Sequence, residues 1–180
     1  MGLVVASLAG ACAARPLPIA DNIRPSLNVA NDRITLAPLD YVRFCMQRSA
    51  ECKFEAPNSI ILVTAEILSA LDRVNRGVNR RIQPKSDVTE WRINPPYGNC
   101  NDYVVTKRHE LIKMGLPASA LLITSAKTTR GEGHLLLVVR TDRGEMVLDN
   151  LTSEIHYRHE TDYTWIKRQS SRNPAVWELI

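Results

Sequence analysis

The chain has 180 residues, 44% apolar and 23% charged, with a formal net charge of +4. That is one domain's length, enough to bury roughly two-thirds of the surface its unfolded chain exposes. The arginines are scattered rather than gathered on one face with interleaved aromatics, which argues against a nucleic-acid surface. No apolar run reaches the ~18 residues of a transmembrane span.

Residues 1–14 are apolar and small and end in Ala11-Cys12-Ala13, the pattern of a signal-peptide h-region and A-x-A cleavage site, although a basic n-region is missing. Export to the periplasm or medium is the expectation; the alternative is an N-terminus with no targeting role. Ala6 rules out the myristoylation pattern. Residues 15–38, rich in Pro, Asn and Asp without periodicity, read as a linker or extended lead-in. Residues 39–180 then form a single domain.

Leu39 to Arg48 reads as a short helix carrying Cys45, with Cys52 and Pro57 after it. Cys45 and Cys52 enclose six residues, which allows a local disulfide in an oxidising compartment. There is no C-x-x-C, so no metal is expected on the cysteines. Cys12 would leave with the signal segment, and Cys100 is then the odd thiol.

Asn58 or Ser59 offers an N-cap for a long helix. Its apolar residues Ile60, Ile61, Val63, Ile67, Leu68, Leu71, Val74, Val78 and Ile82 fall near the 3.6 period. Residues 83–98 are broken by Pro84, Pro95 and Pro96, with Trp91 and Ile93 as apolar anchors, and read as a loop feeding Cys100. The next helix opens at Asn99-Cys100 and stops at Met114-Gly115 before Pro117. It places Cys100, Val104, Leu111, Met114 and Gly115 within an arc of about 100°, so the thiol belongs to the inward face. Strands follow over Leu121 to Ala126, Leu135 to Val139 and Met146 to Leu148, the last two joined by a turn at Asp142-Arg143-Gly144. Thr164 to Lys167 adds a further strand, and a short tail carries Trp177.

A cysteine at a helix start faces unpaired N–H groups and the positive end of the helix dipole, the setting that favours thiolate. His134 follows 34 residues later at the head of an apolar strand, and Asp149 another 15 later on the next strand. Thiol acyl transfer needs these three groups: a nucleophile, an imidazole to hold and return the proton, and an orienter for the imidazole. A two-residue turn at Asp142-Arg143 sets Asp149 opposite Leu136, hence diagonal to His134 on the same face. A three-residue turn would reverse the parity. Each residue alone has a bland reading as a buried thiol, a core histidine or a strand-end aspartate. Their joint order points to chemistry. His156-x-x-His159 is a weak alternative metal pair.

The stretches Gly98-Asn99-Cys100-Asn101-Asp102-Tyr103, Lys107-Arg108-His109-Glu110-Leu111, Gly131-Glu132-Gly133-His134-Leu135 and Val147-Leu148-Asp149-Asn150-Leu151 resemble the bacterial transglutaminase-like cysteine proteinases. The likeness extends to Lys167-Arg168-Gln169-Ser170 and to the Phe44-Cys45 and Glu51-Cys52 pair. It implies an α+β fold of the papain-like/transglutaminase superfold, with N-terminal helices packed on an antiparallel sheet. It also implies Cys100 as nucleophile, His134 as general base and acid, and Asp149 as orienter, acting on a protein or peptide substrate. Superfold precedent adds the Cys100 backbone N–H as oxyanion donor with a second donor upstream, for which Trp91 is the candidate. One branch of the family resembles a calcium-dependent periplasmic protease that cuts cell-surface adhesins, with acidic residues flanking the nucleophile. Here those positions are Asn99 and Asn101, and calcium prefers several carboxylates. No cofactor is expected, Asp102 being the one remaining candidate calcium ligand. The alternatives are acyl transfer to an amine, as transglutaminases perform, and a non-catalytic peptide-binding domain of the same fold. The regulatory partner, if a membrane protein, is not named by the sequence.

Overall fold

The computed structural model describes residues 33–180; the expected signal segment and most of the lead-in lie outside them. Three helices, α1 (Leu39–Gln47), α2 (Ala65–Arg81) and α3 (Cys100–Lys113), pack against one sheet. Its strands are β1 (Ile34–Thr35), β4 (Leu121–Lys127), β5 (Gly133–Thr141), β6 (Gly144–Leu148), β7 (His156–Tyr157), β8 (Thr164–Gln169) and β9 (Trp177–Leu179). They run in the order β1-β9-β8-β4-β5-β6-β7, antiparallel at every pairing. The short strands β2 (Gln83–Pro84) and β3 (Tyr97–Gly98) pair in parallel and close the base of the loop before α3.

The central hairpin fits the expected register. Thr141 pairs with Gly144 and Leu137 with Leu148, so Asp142 and Arg143 form a two-residue turn. Gly144 takes φ +121°, a conformation an L side chain rarely adopts. Leu135, Leu137, Val139 and Leu148 face the helices and join the main core, while Leu136, Val138 and Val147 form a smaller cluster on the opposite face with Ala126. Cover on both faces explains the unbroken apolar run of β5.

Two expectations need adjusting. The helix foreseen from Asn58 or Ser59 begins only at Ala65, with Thr64 as N-cap accepting the Ile67 N–H. The residues before it alternate: Ile60 and Leu62 are exposed, Ile61 and Val63 buried. Ile61 bridges Thr141, and the Val63 N–H donates to the Asp142 carboxylate at 2.8 Å. The run has period 2, and pairing with the end of β5 overrides its weak helical match. The C-terminal tail is strand β9, its Trp177 fully buried and set edge-on to Tyr41 with ring centroids 5.4 Å apart.

α3 is buried along most of its length and packs on β5, β4 and α2. Gly115, at φ +90°, ends it as the sequence indicates. A disulfide joins Cys45 to Cys52 with their Cα atoms 5.6 Å apart. It holds Glu51 against α3, where the Glu51 carbonyl accepts from Arg108 at 2.6 Å and its carboxylate meets His109 Nδ1 at 2.5 Å.

Candidate active site

Cys100 occupies the first turn of α3. The helix start is fixed by a reciprocal cap: Asn99 Oδ1 accepts the Asn101 N–H at 3.1 Å, and the Asp102 carboxylate accepts the Asn99 N–H at 3.1 Å. Asp102 is fully buried and also accepts the Arg92 N–H at 2.8 Å, with the Arg92 guanidinium 3.4 Å away. Its carboxylate lies so close over Gly98 that a Cβ there would stand 2.2 Å from Oδ2. Gly98 is therefore needed for close approach. These bonds bind the 85–98 loop to the helix start. Cys100 is half-buried and is the free cysteine among the described residues. At N1 its own N–H lies outside the intrahelical ladder and stays available to a ligand.

His134, the second residue of β5, is 7% exposed. Its Nε2 meets Asp149 Oδ1 at 2.8 Å, as the diagonal placement on the hairpin predicts. The Cys100 thiol donates to Asn101 Oδ1 at 3.8 Å and lies near enough to His134 to act on the imidazole. Burial disfavours the charged ring, but the bond to Asp149, the neighbouring Cys100 thiol and the charge of Asp149 outweigh it and raise the His134 pKa to about 9. Asp149 is buried as well, which pushes its pKa up. The bonds from His134, the Leu151 N–H and Tyr163 outweigh that and hold it below the ordinary carboxylate value.

The structure thus brings together all three residues that the sequence singled out. Sequence reasoning missed Tyr163, whose hydroxyl donates to Asp149 Oδ2 at 2.5 Å and whose ring lies 5.6 Å from that of His134. Only the adjacency of β8 to β4 delivers it, and no local pattern signals that. Trp91 is buried in an aromatic group with Tyr41 and Phe44, at centroid distances of 5.8 and 6.2 Å; its observed role is as an anchor for the loop. His156 and His159 do not gather a metal site: among the described residues no cluster of three or more ligating side chains occurs. A cavity of about 620 Å³ opens beside Asp149 and Tyr163.

A half-buried cysteine at a helix start, near a buried His-Asp pair on an antiparallel hairpin, is an arrangement suited to thiol acyl transfer. The profile of the family described as "Bacterial transglutaminase-like cysteine proteinase BTLCP" matches residues 31–180, and the chain belongs to that family of cysteine peptidases. Among solved structures it resembles Legionella pneumophila LapG, at 22% identity and a TM-score of 0.54 over 62% of this chain. It also resembles the calcium-bound form of LapG, at 22% identity and a TM-score of 0.52 over 57% of this chain. The matches span 67% and 64% of those chains. A comparison with functionally curated proteins returns no match.

The calcium in one of those neighbours raises the question of a metal here. The donors at the start of α3 do not fit one. Asp102 is the single carboxylate, and its oxygens are taken up by N–H groups of Asn99 and Arg92. Asn99 spends its oxygen on the Asn101 N–H and its NH₂ on the Val88 carbonyl. A cation at Asp102 would have to displace the Arg92 guanidinium, and neutral amides would replace the carboxylates that calcium favours.

Proposed function

We propose that the protein is an exported cysteine peptidase that cuts protein substrates through a Cys100-His134-Asp149 triad. The observation that carries this reading is the position of His134, bonded to Asp149 through Nε2 and close to the Cys100 thiol. With its pKa raised to about 9, the ring is protonated at neutral pH, beside Cys100 as an imidazolium. An imidazolium beside the thiol favours thiolate as the attacking species. Sγ attacks the scissile carbonyl carbon, and the tetrahedral oxyanion is met by the Cys100 N–H at the positive end of α3. The imidazolium returns its proton to the departing amine, leaving a thioester. Neutral His134 then takes a proton from water, which attacks the thioester and frees Cys100. Asp149 holds the ring in register throughout, and Tyr163 holds Asp149.

Export is supported by the Cys45–Cys52 disulfide, a bond that persists in oxidising compartments. No helix among the described residues is long and apolar enough to cross a membrane. Given the donor chemistry at Asp102, the reaction runs without calcium. The family likeness makes a cell-surface protein the substrate class to test.

Iodoacetamide labelling read by intact mass across pH tests the thiol–imidazolium pairing. Wild type should label fast at Cys100 well below pH ~8.5, the range of an ordinary thiol, and His134→Ala should lose that labelling. An ordinary thiol pH profile in wild type would refute the reading.

A further inference from the structure

The two cations in the middle of α3 differ in how they are satisfied. Arg108 Nε donates to the Leu121 carbonyl at 3.0 Å and its Nη1 to the Glu51 carbonyl at 2.6 Å, with the Glu51 carboxylate 4.0 Å away. That is a structural clamp. Lys107 is fully buried, yet its Nζ has no hydrogen-bond partner among the described residues. Burying an unpaired ammonium is costly, and an apolar side chain of similar volume would normally serve better. The position therefore asks for a reason beyond packing.

Lys107 stands seven residues after Cys100, two turns along α3 and within about 20° of the same face. Helical side chains lean toward the N-terminus, so its stem points back under the first turn. The charge that acts on it is that of Asp149; its own helix adds the Tyr103 ring, 6.0 Å from Nζ. Neighbouring α2 contributes neutral amides to the same region. Asn79 bonds the Asp149 and Thr152 carbonyls at 2.8 and 3.0 Å, and Asn75 the Ser153 carbonyl at 3.1 Å.

We propose that Lys107 is a positioning residue of the site, whose buried ammonium is the counter-charge of Asp149 and so balances the net negative charge of the thiolate-imidazolium-carboxylate set. Without it the region carries one uncompensated negative charge, which disfavours thiolate. The inference rests on the triad reading above. Burial pushes the Lys107 pKa down to about 7 and Asp149 pulls against that, so the counter-charge depends on Asp149 being ionised.

The test is the pH profile of Cys100 alkylation in Lys107→Met, with Lys107→Gln as a second neutral variant should Met not fold. Either neutral variant should move the acid limb to higher pH by about half a unit or more, while thermal stability holds or rises. In an Asp149→Asn background the same substitution should produce no further shift, because an unpartnered buried amine is already neutral there. A wild-type profile in the neutral variants, an equal shift with and without Asp149, or failure of both variants to fold overturns the proposal. An ordinary thiol profile in wild type sinks the triad reading instead, so the two failures are distinct.

Discussion

Replacing Asp149 by Asn separates charge from shape at the heart of the site. The amide oxygen can still accept from His134 Nε2 and from the Leu151 N–H, which now bond Oδ1 at 2.8 and 3.0 Å. The negative charge is lost. The His134 pKa stands raised from 6.5 to about 9 against an opposing burial effect, with Asp149 the first of the groups that raise it, so without the carboxylate it should fall well below 9. At 1.36 kcal/mol per unit, that rise is about 3 kcal/mol of folded-state preference for the charged ring. Because the folded pKa lies above the unfolded one, this stability is fully present below pH 6.5 and is lost as pH rises through about 9. Urea melts of wild type and Asp149→Asn, followed by tryptophan fluorescence, should therefore differ most near pH ~6 and converge above pH ~9. Asp149 itself titrates below the ordinary carboxylate value, so that window is free of its own protonation. A stability difference that stays constant from pH ~6 to ~10 would refute the coupling.

Tyr163→Phe removes the hydroxyl that fixes Asp149 Oδ2; a bond to a charged group is worth about 1.5–3 kcal/mol, and a several-fold fall in turnover with KM unchanged is expected, with an equal kcat refuting the role. Cys45→Ser/Cys52→Ser opens a loop of sequence separation 7, for which chain entropy predicts a loss of about 2.5 kcal/mol in urea melts. Wild-type stability there would mean that the bond constrains nothing. EGTA treatment of the enzyme as purified should leave its cleavage rate unchanged; a loss restored by calcium refutes the donor argument at Asp102.

What was legible in the sequence was local or periodic. The hairpin register follows from a two-residue turn and the period of a strand, and it places His134 diagonal to Asp149 from the sequence alone. The helix start at Asn99 and its stop at Gly115 carry their own caps. The misread segment, Ile60 to Thr64, has apolar residues that fit both periods over so short a run, and only the bridge from Ile61 to Thr141 decides between them. Trp177 looked like a tail because β9 is three residues long, and its burial depends on α1 through Tyr41. Tyr163 escapes sequence reading for the same reason. Its role comes from long-range proximity to Asp149, which neither spacing nor composition encodes.

The site's dependence on several elements also says how it should fail. Cys100 is placed by α3, His134 by β5 and Asp149 by the end of β6, while Arg92 and Gly98 tie the preceding loop to the helix start. No two of the three reactive groups share an element, so their alignment needs α3 docked on β5 and the β5–β6 hairpin in one register at the same time. α3 is held from its far side by Glu51, which the disulfide keeps in place through Arg108 and His109. Loosening that clamp leaves each helix and strand intact but frees α3 to shift against β5. A shift of about 1 Å at a reacting group is enough to cost ~100-fold in rate. The disulfide, far from the thiol along the chain, thus contributes to reactivity through the placement of one helix.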